Sequence, residues 1–275
     1  MPELAEVDFF RRRWANALGK SRILQIETHD RAQVFRGADP SAIRRALTGA
    51  VLQTSETAAK QMMFRFKAGW LGIHLGMTGD LSVAPASHVA GKHDHLILRT
   101  AKCALVFNDP RRFGRVQFSA GPAAPRWWTD IAPAILSPAF TLRAVRDFLA
   151  RRQRSPIKAV LLMQERFPGV GNWMADEILW RAGVHPRQPS GSLTPAETKR
   201  LWTECRRVCE LAMEVIGGAA DFTPAHRDAT LPRNWLLPHR WEDGGRCPRT
   251  GVPLRRETIG GRTTCWSPGR QKLHR

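Results

Sequence analysis

The sequence predicts an α+β chain of several domains: an N-terminal helix with an antiparallel β-sandwich, a helical middle, and a basic C-terminal β-hairpin. Three observations carry this. Leu4, Val7, Phe10, Trp14 and Leu18 recur at helical spacing at the start. Short, partly alternating apolar runs follow, broken by Gly, Asp and Pro. Helical periodicity then returns between Thr141 and Gly218 and is lost from Ala219 onward.

The elements follow in order. Residues 1 to about 20 read as one helix. Strands are expected at Ile23 to Ile26, Met62 to Phe66, Leu71 to Leu75, Leu96 to Leu98, Leu105 to Phe107 and Val116 to Phe118. Ala120 to Pro125 is rich in Pro, Ala and Gly and reads as a linker. In the middle, Thr141 precedes the stripe Leu142, Val145, Phe148 and Leu149, and Ser155-Pro156 reads as an N-cap with Pro at the first helical position. Thr194-Pro195-Ala196-Glu197 is a capping box, opening a helix that carries Leu201, Cys205, Val208, Ala212 and Ile216 on one face and ends at Gly217-Gly218. Near the end, Glu257 to Ile259 and Arg262 to Thr264 flank Gly260-Gly261, a hairpin with a two-residue turn. The expected domains are 1–125, 126–218 and 219–275.

Charge narrows the function. The 275 residues hold 43 Lys and Arg against 24 Asp and Glu, a formal net charge of +19. Such a surface attracts polyanions. No run of 18 apolar residues signals a membrane span, and no charged start with an apolar core signals secretion. The five cysteines include no C-x-x-C pair, so neither a disulfide framework nor a simple zinc site is signalled. A cytoplasmic, nucleoid-associated protein is expected. Between Arg246 and Arg275 there are eight Lys and Arg and one acid, Glu257. Arg262 beside the hairpin tip reads as a probe for a nucleic-acid groove, or as part of a solvated basic tail.

Four constellations carry chemistry. The first is Pro2-Glu3-Leu4-Ala5-Glu6. Removal of the initiator Met leaves Pro2 as a secondary amine. An α-amino group titrates near 7.7–8.0, so a neutral, nucleophilic fraction exists at pH 7. Glu3 and Glu6 could move protons beside it, yet Pro and Glu also suit a helix start for structural reasons. The second is Gly169-Val170-Gly171-Asn172, a glycine turn opening a helix, fit either for phosphate or for a tight turn between helices. The third is Asn108-Asp109-Pro110-Arg111-Arg112-Phe113-Gly114, a loop whose Phe could enter a base stack. The fourth is His74-Leu75-Gly76-Met77-Thr78-Gly79, where Met77 is either a flexible filler or an ordinary core residue. His93-Asp94-His95 could bind metal, contact DNA or hold the fold; no third ligand is signalled.

Taken together, PELxEV, Lys60 before a strand, HLGMTG, KHDH, NDPRRFG, SPIKxxLL, GVGNxxADEILxRAGxxP and GGRTT resemble, in order, the formamidopyrimidine-DNA glycosylase / endonuclease VIII family. The resemblance implies a helix–two-turn–helix domain in the middle and a finger-like hairpin at the end, with DNA crossing between the two lobes. It implies a bifunctional glycosylase and abasic-site lyase acting as a monomer on damaged double-stranded DNA. Oxidised purines would be favoured. Pro2 would attack C1′ of the damaged nucleotide, Glu3 would protonate or hydrogen-bond the opening sugar, and Glu6 would help hold or protonate the lesion region. Lys60 would assist β-elimination and Arg262 δ-elimination. Met77, Arg111 and Phe113 would fill the void left by the flipped base, and His74, His93, Lys158 and Asn172 would hold the backbone.

The departures concern the finger. The family usually ends in a four-cysteine zinc finger. Here the matching positions are Cys247, Thr250, Ser267 and Arg270. Three are not soft zinc ligands, so no cofactor and no metal is expected, and the finger is expected to be zincless and held by Trp241, Trp266 and Leu254. A rearranged site of Cys247, Cys265, His239 and His274 is the competing arrangement. Two other functions remain: a catalytically weak damage- or nucleic-acid-binding protein of the same fold, and a glycosylase for oxidised pyrimidines.

Overall fold

The computed structural model describes all residues except Arg31, Asp221, 224–229, 241–244 and Arg275. Trp241 and part of the Asp221 to Arg240 segment, expected to cover the extruded base, therefore lie outside the described residues. The chain divides into two compact units, Met1–Ile131 and Ala132–Arg275.

In the first unit, helix α1 (Leu4–Leu18) opens with a reciprocal capping box between Glu3 and Glu6. It buries Val7, Phe10, Trp14 and Leu18. Eight strands follow: β1 (Gln25–Thr28), β2 (Leu52–Ala58), β3 (Gln61–Phe66), β4 (Gly69–His74), β5 (Asp80–Pro85), β6 (Asp94–Arg99), β7 (Cys103–Asn108) and β8 (Arg115–Ala120). They form two antiparallel four-stranded sheets, ordered β1-β6-β7-β5 and β2-β3-β4-β8. Helix α1 packs on strands of both. Its Trp14 ring lies 5.7 Å from Phe64 and donates through Nε1 to the Ser82 carbonyl at 3.0 Å.

Two strands and two helices escape the sequence reading. β2, Leu-Gln-Thr-Ser-Glu-Thr-Ala, is an edge strand with a mostly polar, partly exposed face, so it lacks an apolar run. β5 is also an edge strand, with Leu81 its one fully buried apolar residue. Helix α2 (Pro40–Leu47) is eight residues long, begun by Asp39, whose side chain accepts from Ser41 N. Helix α3 (Arg126–Thr129) is a single turn with no buried residue, too short for a period to show.

Register positions the site. Gln61, His74 and Arg115 stand in line across β3, β4 and β8. Asp80, Asn108 and Asp94 stand in line across β5, β7 and β6. The β4–β5 turn and the β7–β8 loop each pass from one sheet to the other at these aligned ends. Lys60, His74, Met77, His93, Arg111 and Phe113 consequently gather at one end of the unit, although the sequence spreads them over more than fifty positions.

The second unit holds α4 (Leu142–Ala150), α5 (Ile157–Leu161), α6 (Asn172–Ala182), α7 (Pro195–Val215) and the hairpin β9 (Arg255–Ile259) and β10 (Arg262–Trp266). Thr141 caps α4 by accepting from Ala144 N, and Thr194 and Glu197 form the capping box of α7. The α7 face carrying Leu201, Cys205, Val208 and Ala212 is buried. Helix α5 begins one residue later than its cap signal implies, with Pro156 as cap residue. The Gly260-Gly261 turn has φ of +59° and +73°, the pair of left-handed residues that a two-residue hairpin turn of this hand requires. Gly260 also touches α5: a Cβ there would stand 2.9 Å from the Ala159 Cβ.

Candidate active site and DNA-holding surface

At the start of α1, Pro2 and Glu3 are buried and Glu6 is fully buried. A Glu6 carboxylate oxygen accepts from the Glu3 backbone N–H, while the Glu3 side chain accepts from the backbone of Glu6. The capping box thus fixes the chain direction at Pro2. Lys60 occupies the tight β2–β3 turn, after Ala59 at φ +54°, and is nearly buried. Its Nζ reaches the Met1 Sδ at 3.7 Å, which brings an ammonium beside the N-terminus from 59 positions away.

His74 ends β4. Burial, with Lys60, Arg36 and Arg115 nearby, brings its imidazole down to about 4. It is neutral at pH 7. Nδ1 accepts from Gly76 N at 3.0 Å, so the ring proton sits on Nε2. An uncharged donor beside Lys60 adds direction without adding like-charge repulsion.

Met77 and Phe113 sit on two turns locked to each other. Gly76, at φ +65°, has no Cβ, and one placed there would fall 2.5 Å from Gly114 N. Fully buried Asp109 bonds across the gap, accepting from the Thr78 hydroxyl at 3.0 Å, Gly114 N at 2.7 Å and Arg111 N at 3.3 Å. Arg36 donates to the Gly114 carbonyl at 2.9 Å. Phe113 is left 49% exposed, with the Arg111 guanidinium 4.9 Å from its ring centroid. Met77 is half-buried on the facing turn. An exposed Phe under an Arg, on a rigid loop, can enter a base stack without first collapsing on its own core.

His93 lies just ahead of β6, half-buried, and its carbonyl accepts from Asp109 N at 3.0 Å. His95 is buried. Its Nε2 donates to the Asp109 carbonyl at 2.9 Å, and its ring stacks on His29 at 5.6 Å. His95 therefore braces the Arg-Phe loop. Of these supports, His95 stands in the H-x-H motif for which holding the fold was one reading, and Asp109 in the loop motif without a role of its own; Arg36 carried no signal. The placement of Asp109 before Pro, a usual site of a turn-forming side chain, is the signal for its role.

The second unit gathers Asn172, Arg262 and Lys158. Gly171, not Asn172, is the cap residue of α6. The Asn172 side chain instead donates through Nδ2 to the Thr263 carbonyl at 2.8 Å, joining the α6 N-terminus to the hairpin. Arg262 is exposed at the start of β10. Lys158 is fully buried, with Nζ 2.5 Å from Asp176 Oδ1 and 2.6 Å from the Asn172 carbonyl. Its ammonium therefore faces the interior and reaches the α6 N-terminus through the Asn172 carbonyl, rather than standing on the surface where the expected direct DNA contact would need it.

Residues 1–116 match the formamidopyrimidine-DNA glycosylase N-terminal domain, and residues 131–223 match the H2TH domain of the same enzymes. The formamidopyrimidine-DNA glycosylase of Alkalilimnicola ehrlichii is 33% identical across 99% of this chain and all of that protein. That of Geobacter metallireducens is 33% identical over 98% of each. The chain belongs to the formamidopyrimidine-DNA glycosylase / endonuclease VIII family. These are DNA-repair glycosylases that are also abasic-site lyases, and the chain is such an enzyme. A mutant Lactococcus lactis glycosylase solved with DNA containing a formamidopyrimidine lesion superimposes with a TM-score of 0.85 at 25% identity, covering 98% of this chain and all of that one. No helix among the described residues is long and apolar enough to cross a membrane.

The family's zinc does not fit the finger of this glycosylase. At the four ligand positions, the Cys247 Sγ accepts from Trp180 Nε1 at 3.3 Å. Burial pushes the Cys247 thiol up, but hydrogen bonding with Ser267, Thr250 and Trp180 outweighs it and brings it to about 7. Arg270 donates to the Trp180 carbonyl at 3.3 Å and lies 5.4 Å from the Trp180 ring centroid. The single thiol thus faces an N–H donor and two hydroxyls, and the fourth position holds a cation of its own, so the set offers one soft ligand where four are needed. The rearranged set is drawn apart by other partners: His239 bonds the Arg233 carbonyl, His274 pairs with Glu197, and burial drives the Cys265 thiol up to about 12. Trp180, which the sequence reading passed over, centres the cluster with Leu236, Cys247, Cys265 and Leu254, and Trp266 stacks edge-on against His185 at 4.3 Å.

Proposed function

We propose that this glycosylase removes oxidised purines, 8-oxoguanine and formamidopyrimidines foremost, from double-stranded DNA through a Schiff base on Pro2, and then cuts the abasic strand by β,δ-elimination. The observation that carries the reading is the N-terminal assembly: a buried Pro2, two carboxyl groups bonded at the helix start, and a lysine ammonium beside the terminus.

After Met1 is removed, the Pro2 nitrogen attacks C1′. The bond from C1′ to the base breaks, and its electron pair leaves with the base, which takes up a proton. Glu3 donates to the ring oxygen as the sugar opens, leaving an iminium between Pro2 and C1′. Loss of a C2′ proton then expels the 3′ phosphate, with Lys60 contacting it. A second elimination expels the 5′ phosphate, assisted by Arg262. Glu6 serves the lesion region. Extrusion of the base costs roughly a few kcal/mol, and Met77, Arg111 and Phe113 offset it by filling the void. His74, His93, Lys158 and Asn172 hold the backbone, which positions the enzyme without reading sequence. Residues 1–125 form the catalytic domain in this reading, 126–218 the DNA-binding domain and 219–275 the lesion-loop region and a metal-free finger. The enzyme works in the cytoplasm on nucleoid DNA.

The test is strand cleavage on duplexes carrying 8-oxoguanine, formamidopyrimidine, thymine glycol or dihydrouracil. Faster turnover of the two purine lesions, ending in a δ-elimination product, is expected. A preference for the two pyrimidines would move the chain to the other substrate class. Binding without cleavage of any duplex would make it a damage-binding protein.

A further inference from the structure

Asp176 lies on α6, is 1% exposed, and its carboxylate bonds three groups: the Lys158 ammonium, the Arg240 guanidinium and a backbone N–H. Oδ1 holds the Lys158 ammonium, which in turn holds the Asn172 carbonyl. Oδ2 accepts from Arg240 at 2.8 Å and from the backbone N–H of Cys265 on β10 at 3.1 Å. The same Arg240 nitrogen reaches the Thr263 carbonyl at 3.1 Å, the oxygen that Asn172 also reaches. The bonds just named end at Asn172 or at the β10 segment that follows Arg262.

A network aimed this way has a purpose beyond stability. Buried ion pairs often contribute little net stability over apolar residues of equal volume, while they fix geometry through directed bonds. A phosphate-holding surface needs such geometry, because two donors on different elements act together only when their spacing is fixed. Here the elements are a helix N-terminus and a hairpin turn, separated by ninety positions between Asn172 and Arg262.

We propose that Asp176, with Arg240, is the positioning residue of the DNA-holding surface: it sets the hairpin carrying Arg262 in place against the α6 N-terminus carrying Asn172. Neither touches the reacting atoms. The proposal rests on the glycosylase reading above and deepens it.

The test compares wild type, Asp176→Asn and Arg240→Lys on an abasic duplex and on a 5-mer-flanked tetrahydrofuran analogue that binds without reacting. Asp176→Asn loses one charge and leaves two cations facing each other. Arg240→Lys keeps the charge and loses the fork that serves both Asp176 and Thr263. Both variants are expected to raise KM and weaken analogue binding about tenfold or more, Arg240→Lys less so. Both should shift the products from δ toward β, because Arg262 serves the second elimination while the Pro2 assembly is untouched. Borohydride-trapped yield at saturating DNA should stay within about threefold. Where Asp176→Asn does not fold, Arg240→Lys carries the same expectation. Unchanged KM and an unchanged δ-to-β ratio, even with a lower active fraction, would overturn the proposal and assign the network to folding alone. A wild type that neither traps nor cleaves would instead overturn the glycosylase reading, so the two failures are distinct.

Discussion

The two units hold their functional side chains by opposite means. In the first, they ride on turns between strands, and one carboxylate, Asp109, gathers neighbouring backbone and hydroxyl donors into a rigid pair of turns. Phe113 and Arg111 stay outside. In the second, helix and hairpin are joined by an interior charge network: Lys158 is fully buried against Asp176, and Arg240 and Asn172 both reach the Thr263 carbonyl, next to Arg262 in the chain. Wedge residues must remain exposed to enter a base stack, and a turn capped by one buried acid allows that. Donors on distant elements, if they are to hold phosphates together as proposed, need a long-range brace, and the interior supplies one.

The contrast can be broken at several points. The largest effect is expected at the chemistry: Glu3→Gln should slow excision and trapping by ~10²–10⁴-fold, the usual worth of a positioned acid, with abasic-analogue binding retained. Single-turnover rates against binding on one duplex check it. Next comes the turn cap. Asp109→Ala leaves the Thr78 hydroxyl and the Gly114 and Arg111 amides without their acceptor, and should cost ~3 kcal/mol in urea unfolding and weaken lesion-duplex binding together. A loss of binding with no loss of stability would show that the cap organises the wedge only in the complex.

Acid should act on the first unit through His74. Unfolded histidine titrates near 6.5, whereas here it titrates at about 4. Between those values the unfolded chain binds the extra proton. Stability is therefore fully present above pH 6.5 and is lost as the pH falls toward 4, by up to about 3 kcal/mol. Urea midpoints at pH 7 and pH 4.5 should converge in His74→Gln. The smallest effect is in the finger. Trp180→Phe removes the hydrogen bond to Cys247 and should cost ~1 kcal/mol in thermal unfolding, while a chelator leaves the wild-type Tm where it was. A chelator-sensitive Tm would restore a metal to the finger.

What the sequence made legible follows the same contrast. The helix α1, the capping boxes and the hairpin turn are local, and their signals stand within a few residues of one another: Glu3 with Glu6, Thr194 with Glu197, Gly260 with Gly261. The β7–β8 loop drew notice because a generic turn needs neither Arg nor Phe, and the structure leaves Phe113 exposed. β2 and β5 were not legible, since Leu-Gln-Thr-Ser-Glu-Thr-Ala and Asp-Leu-Ser-Val-Ala-Pro hold too few large apolar residues to form a run. Nor were the braces. Arg36 reaches Gly114 across 78 positions, and Asp176 reaches Cys265 across 89. Pairings of that separation leave no period, spacing or cap in a single sequence. The finger gave half its answer: the missing ligands were plain at Thr250, Ser267 and Arg270, but Trp180, which takes the centre, reads as one more apolar residue of a helix.

Whether Pro2 is the nucleophile is decided by borohydride reduction of the processed enzyme on an abasic duplex, followed by proteolysis and mass mapping of the cross-link. One adduct is expected, on the peptide that begins at Pro2, with its loss or strong reduction in Pro2→Gly. An adduct on Lys60, or trapping undiminished in Pro2→Gly, would contradict it.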